Sequence, residues 1–256
     1  MNINVLCGYL DSAYGRMILQ ALNARGVRGI HVVAADGART PRTFKALWAM
    51  HGWCLPYVLA RRVLKVVTLP TTGLREGIAG HSESLAQLVQ AQGGRFIQVE
   101  DLNGEDCHQA LRSLHVDLMI LGGVPIMRAP TLQVPRLGTI NAHQGLLPRF
   151  RGVNMIEWAL FEGYSPSISI HFVDPGVDTG DIIMTEPIPI LSGDTLGAIR
   201  KRALALQGEL LARTVFTALN GPVHRHHQRR DEGRQYYTMH PRLRVLVEQR
   251  LRECAR

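Results

Sequence analysis

The chain has 256 residues, 46% of them hydrophobic, and a formal net charge of +8. This is enough apolar material for one sizeable core, and no apolar run is long enough to cross a bilayer. Four scattered cysteines (Cys7, Cys54, Cys107, Cys254) form no Cys-x-x-Cys pair, which argues against a disulfide frame or a metal cluster. The opening MNINVLCGYL lacks the basic region and longer apolar stretch of a signal peptide, so a cytoplasmic protein is expected.

INVLCGY reads as a short strand, Ser12 to Ala24 as a helix, and GIHVVAA as a second strand. This βαβ opening predicts an α/β fold with a parallel sheet and flanking helices. The first turn, CGYLDSAYG, is neither Gly-x-Gly-x-x-Gly nor a Walker loop, so it supports no nicotinamide or ATP site. Residues 36–70 are too long for a plain connection and too apolar for disorder, and predict a helical insertion or lid holding Trp48 and Trp53. Further on, Ser82 to Gln92 predicts a helix capped by Ser82 or Ser84, RFIQV a strand, and Glu105 to Leu114 a helix. VDLMILGG reads as a fully buried strand and LGTINAH as the next one. Asn154 to Phe161 predicts a helix, SISIHFV and DIIMTEPIPI strands. A long helix follows, opening at Asp194, with Leu196, Ile199, Ala203, Leu206, Leu210 and Val215 on its buried face. Residues 1–220 then form one domain. Residues 221–256 form a small polar appendage with nine arginines and four acids, ending in a helix from Pro241 to Cys254.

The chemistry gathers between Asn141 and Gly180. Asn141 and His143 stand two apart on a strand, so their side chains share a face. Asp178 lies in DPGVDTG, a turn between two β-rich runs. An amide donor, an imidazole and a carboxylate suit acyl-type transfer. Taken singly, each residue also has a plain structural reading: a strand end, a surface histidine, a turn residue. His171 sits on the face of its strand opposite Ile168 and Ile170, placed to support the Asp178 loop. Arg149 and Arg151 flank Phe150 in GLLPRFRG and are candidate anion contacts. HRHH at His224 to His227 has no carboxylate or cysteine partner at ligand spacing, and no metal is expected.

In order and separation, Asn141-x-His143, the GLLPRFRG loop, His171, and Asp178 with Gly180 resemble the 10-formyltetrahydrofolate-dependent formyltransferases, most closely those acting on amino sugars. The resemblance runs from about Val116 to Ile190. It implies a Rossmann-like formyltransferase fold, with Asn141, His143 and Asp178 as the catalytic set and 10-formyltetrahydrofolate as co-substrate. Val124, Pro125, Ile126 and Met127, together with Asp174 and Val177, would face the folate, while Arg149, Arg151 and His171 would touch the acceptor or support the site. The Gly-Ser-Asn-Leu phosphate turn of glycinamide ribonucleotide formyltransferases is missing. FRGVNMIEWALFEG and GRQYYTMHPRL resemble the sugar N-formyltransferases, and the residues after the long helix are too few for the barrel domain of methionyl-tRNA formyltransferases. The expected acceptor is therefore a deoxyamino sugar on a nucleoside diphosphate, gripped by arginines of the appendage and of the basic stretch Arg39, Arg42, Lys45, Arg61, Arg62 and Lys65. The alternatives are another amine (aminoacyl-tRNA, a peptide precursor, a hydroxyornithine-like amine) or a non-catalytic folate- or nucleotide-binding module. No membrane or nucleic-acid partner is expected, and a homodimer is compatible with the sequence.

Overall fold

The computed structural model describes residues 4–10, 12–36, 56, 60 and 84–253. Apart from Asp36, Pro56 and Ala60, the expected 36–70 insertion, with its two tryptophans and its basic stretch, lies outside the described residues, as do Cys54 and Cys254. A seven-stranded sheet carries the fold, in the order β3-β2-β1-β4-β5-β7-β8. Its strands are β1 (Asn4–Tyr9), β2 (His31–Ala35), β3 (Phe96–Val99), β4 (Leu118–Gly122), β5 (Gly138–His143), β7 (Ser167–Phe172) and β8 (Ile182–Pro187). The first five run parallel, and β7 and β8 are antiparallel additions beyond β5. This agrees with the α/β, mostly parallel expectation.

Alternation within the strands decides which face each residue feeds. Leu6, Val32, Ala34, Leu118, Ile120 and Ile140 join one buried cluster. Val5, Cys7, Val33, Ala35, Met119 and Leu121 join the other. Both faces therefore need covering, as parallel sheets require. On the first face lie α1 (Ala13–Ala24), α2 (Leu85–Ala91) and α6 (Leu196–Asn220), contributing Ile18, Leu22, Val89, Ile199, Leu210 and Val215. On the second lies α3 (Glu105–Ser113), contributing Cys107, Ala110 and Leu111, followed by the short α4 (Ala129–Leu132).

The helix starts are set by side chains that satisfy otherwise orphaned N–H groups. Ser12 Oγ accepts from Gly15 N at 2.9 Å. Ser84, rather than Ser82, caps α2 in a reciprocal capping box with Gln87. At α6 the cap is Thr195, whose hydroxyl accepts from Ala198 N. Asp194, expected to open that helix, instead takes Leu191 N and pairs with Arg202.

The chain winds outward from β1 to β3 and then reverses to β4 and β5, so the sheet's switch point lies at the carboxyl ends of β1 and β4. Two pairings made by the appendage were not anticipated, although its terminal helix was. Part of the GLLPRFRG loop is a short strand, β6 (Phe150–Gly152), paired in parallel with β9 (Arg234–Tyr236) from the appendage. The appendage also ends in α7 (Pro241–Glu253), which packs on α5 (Met155–Phe161). Buried Glu157 of α5 sits between Arg200 of α6 and Arg244 of α7, the latter at 3.0 Å.

Candidate active site

Asn141 and His143 lie on β5, where β7 runs alongside in antiparallel register, so Asn141 stands directly opposite His171 and His143 opposite Ser169. A register shift between Ile170 and His171 on the β8 side interrupts the ladder at that histidine. Ile168 and Ile170 point into the core on the other face. Asp178 arrives from the β7–β8 loop with φ 53°, a left-handed conformation that aspartate tolerates better than most residues. Asp174 holds that loop. Its Oδ1 accepts from Gly176 N at 3.1 Å and from the Thr179 hydroxyl at 2.6 Å.

These elements place one carboxylate between two imidazoles. Asp178 Oδ2 lies 3.4 Å from His143 Nδ1, and Asp178 Oδ1 lies 3.5 Å from His171 Nε2. The Asn141 amide is 3.4 Å from His171 Nε2. The tautomers follow from the backbone. His143 Nε2 is 2.8 Å from the Phe150 carbonyl and His171 Nδ1 is 2.7 Å from the Phe172 carbonyl. A carbonyl oxygen only accepts, so each of those nitrogens carries the hydrogen. In the neutral rings His143 Nδ1 and His171 Nε2 are then bare, and His171 Nε2 accepts from Asn141.

Burial disfavours the charged form of His143 and, although Asp178 pulls the other way, its pKa lies below the ordinary 6.5. For Asp178 burial pushes upward, but His143, His171 and the Gly152 N–H at 2.9 Å outweigh it, leaving the carboxyl well below the usual carboxylate range. At neutral pH the site therefore holds an uncharged imidazole against a carboxylate, with an amide donor alongside. Such a set can accept a proton, stabilise the cation that results, and donate a hydrogen bond to a developing oxyanion.

The other sequence-predicted residues differ in burial and partners. Val124 packs on the second core cluster and Met127 is buried in it, whereas Ile126 is 48% exposed. Asn103 fixes their backbone, donating to the Ile126 carbonyl at 3.1 Å and accepting from Arg128 N at 2.6 Å. Pro125 and Val177 are half-buried. Arg149 is exposed, its guanidinium 4.5 Å over the Tyr164 ring, while Arg151 is turned inward and is only 4% exposed. Several arginines of the appendage are engaged in packing. Arg225 lies 3.6 Å over the Phe172 ring and Arg250 lies over Phe161. Among the described residues no group of three or more His, Cys, Asp or Glu could hold a metal ion, and no helix is long and apolar enough to cross a membrane.

Sequence reasoning missed the Phe150 carbonyl, the Gly152 N–H and Gln228, whose side chain reaches the backbone of Asp178 and Gly180. Backbone groups leave no trace in side-chain motifs, and one glutamine in an arginine-rich stretch reads as solvent-facing.

The fold coincides with what comparison with known proteins finds. A family model described as formyl transferase matches residues 64–215. The chain belongs to the formyl transferase family. It is 34% identical over 177 residues to the methionyl-tRNA formyltransferase of Alcanivorax borkumensis, a match covering 68% of this chain and 53% of that protein. The chain thus spans about half the length of the curated relatives it matches. A sugar N-formyltransferase from a Shewanella species superposes with a TM-score of 0.59 at 12% identity, over 98% of this chain and 88% of that one. The N-formyltransferase of Helicobacter canadensis, in complex with folinic acid and dTDP-3-aminofucose, gives 0.54 at 15% identity, over 93% and 71%. At these identities the two structures establish the shared fold.

Proposed function

We propose that this chain transfers the formyl group of 10-formyltetrahydrofolate to a primary amine. The observation that carries this reading is the enclosed set of Asn141, His143 and Asp178 at the carboxyl end of β5. When bound, the folate supplies an activated formyl carbon on N10. Its ring would lie along residues 124–127, where exposed Ile126 offers an apolar edge beside the switch point. His143, uncharged and with Nδ1 bare, takes the proton shed by the attacking amine, and Asp178 stabilises the imidazolium so formed. That proton is then available to the departing nitrogen. Asn141 has one amide hydrogen directed at His171 Nε2 and a second to offer where negative charge develops on the formyl oxygen.

The acceptor we favour is a deoxyamino sugar carried by a nucleoside diphosphate. Support comes from the FRGVNMIEWALFEG and GRQYYTMHPRL segments, which fold together in the structure. Trp158 Nε1 donates to the Tyr237 carbonyl at 2.8 Å and Tyr236 stacks on Phe150 and Trp158. The ligand named for the Helicobacter canadensis protein is of this class. In this reading exposed Arg149 meets the diphosphate. A second reading, with methionyl-tRNA as acceptor, is favoured by the curated relatives, which carry that activity in their names. Incubation with 10-formyltetrahydrofolate and a panel of amino-sugar nucleotides and methionyl-tRNA, followed by product mass, separates them. A mass gain of one formyl group on a sugar nucleotide supports the favoured acceptor. A gain on methionyl-tRNA alone replaces it, and no gain on any amine overturns the proposed activity.

A further inference from the structure

Asp178 is gripped at two points by segments far from it in sequence. Its carboxylate accepts from Gly152 N of β6, and its carbonyl accepts from the Gln228 side chain at 3.2 Å. The same Gln228 Nε2 donates to the Gly180 carbonyl, so its two hydrogens span the left-handed turn that aims the carboxylate. Its oxygen is also occupied, accepting from Arg151 Nη2 at 3.1 Å, while that guanidinium donates to the Arg229 carbonyl at 2.9 Å. Gln228 and Arg151 are each only 4% exposed. A buried site presenting two carbonyls and one guanidinium needs two donors and one acceptor from a single planar group, which an amide supplies.

The backbone on both sides of Gln228 is fastened as well. His226 and Ile182 exchange hydrogen bonds of 2.8 Å in each direction, joining the segment to β8 just past the Asp178 loop. Downstream, Arg234 N donates to the Arg149 carbonyl at 3.0 Å as β9 pairs with β6. Between them the chain passes so close to the GLLPRFRG loop that a Cβ at Gly233 would lie 1.6 Å from the Pro148 carbonyl oxygen. Residues 226–236 thus cross both loops that flank the catalytic set.

We propose that Gln228 is a positioning residue, which acts through Asp178 by holding the 178–180 turn so that the carboxylate faces His143. This rests on the formyl-transfer reading for its consequence in rate, though its geometric content stands apart from it. Removing the amide frees the turn, and a displacement of about 1 Å in a reacting constellation can cost on the order of 10²-fold in rate. The effect falls on kcat with little change in the KM for formyl-folate, since Gln228 touches neither partner.

The test has two arms. In the first, kcat and KM are compared for wild type, Gln228→Ala and Gln228→Glu, the last keeping the volume but setting an acceptor against two carbonyls. In the second, the His143 ring resonances are titrated by NMR in these proteins, in Asp178→Asn, and in the Asp178→Asn, Gln228→Ala double variant. The expected result is a kcat lowered ~10²-fold, a His143 midpoint moved in the direction that Asp178→Asn moves it, and no further movement in the double variant. Wild-type kcat in both Gln228 variants overturns the proposal, as does a fallen kcat with an unmoved His143 midpoint, which marks general loosening. If Gln228→Ala fails to fold, Gln228→Glu carries both arms. If wild-type protein transfers no formyl group, the proposed function fails, while the titration arm still decides whether Gln228 acts through Asp178.

Discussion

His143 and Asp178 lie 3.4 Å apart, yet in the neutral state no hydrogen sits between them, because the single ring hydrogen of His143 is committed to the Phe150 carbonyl. The bare Nδ1 and the carboxylate face each other as two acceptors. A proton arriving there converts that opposition into an ion pair, which is the property a general base needs at the moment of transfer.

The first expectation is kinetic. His143→Ala removes the proton acceptor and should lower turnover by orders of magnitude with formyl-folate affinity nearly unchanged. Asn141→Ala should lose about 10²-fold, the scale of one oxyanion donor. Steady-state kinetics with a separate folate-binding measurement check both, and near-wild-type turnover in either variant refutes the site.

The second concerns pH. In the proposed mechanism His143 must be uncharged to take the proton, and burial holds its pKa below 6.5, so the acid limb of the rate profile should lie below that of an ordinary histidine. Asp178→Asn removes the charge that favours the imidazolium. The midpoint should then fall further and the plateau rate should drop, because the cation formed in the reaction loses its partner. An unshifted limb would separate Asp178 from the chemistry.

A third follows for stability. Both His143 and Asp178 bind fewer protons folded than unfolded, so acid opposes the fold. The contribution of His143 starts to be lost as pH falls through 6.5 and that of Asp178 as pH falls through 3.8, each loss continuing towards the lower folded value. Urea midpoints should decline on acidification, and only below pH 3.8, where the Asp178 contribution is lost, should the decline be shallower in Asp178→Asn. A midpoint independent of pH between neutrality and pH 4 would contradict this.

A fourth uses Gly145. A Cβ there would lie 2.5 Å from His143 Nε2 and 2.7 Å from the Phe150 oxygen, between the two partners of the bond that sets the tautomer. Gly145→Ala should therefore cut turnover strongly and also lower the thermal midpoint, because a backbone oxygen and a buried ring must give way. Retained activity would show that the Phe150 contact is dispensable.

A fifth tests how the C-terminal helix is attached. Glu157 is 2% exposed between two guanidiniums that are each more than a third exposed. Glu157→Ala leaves them facing one another. It should cost about 2 kcal/mol, less than the loss of one member of a fully buried pair because water reaches both arginines. Urea denaturation measures it, and a change under ~0.5 kcal/mol, the scale of an ordinary surface substitution, would assign the attachment to apolar packing alone.

Much of this arrangement is legible in the sequence. Alternation along β5 put Asn141 and His143 on one face, and the Gly/Pro/Asp content of 174–180 marked the turn that delivers Asp178. Of the apolar stripe expected on α6, Leu196, Ile199, Ala203, Leu210 and Val215 are buried and Leu206 is half-buried, while the cap is Thr195 rather than Asp194 because Asp194 is drawn to Arg202. What stayed hidden depends on long-range pairing. Phe150–Gly152 is too short for a period to declare a strand, and its partner Arg234–Tyr236 lies in a polar stretch with no apolar alternation. The arginines of that stretch looked like a solvent-facing charge, yet Arg225 and Arg250 stack on rings, a use that composition does not distinguish from anion binding.

The pairing of β6 with β9 also bears on synthesis. Asn141, His143 and Asp178 leave the ribosome long before residues 226–236, which cross their loops. The nascent protein can complete its central sheet while the carboxylate still lacks the Gln228 amide proposed to aim it, so the chemistry is withheld until residues 226–236 have emerged as well. Contacts so distant along the polypeptide form slowly as well. Refolded protein should therefore recover its backbone structure before its catalytic power.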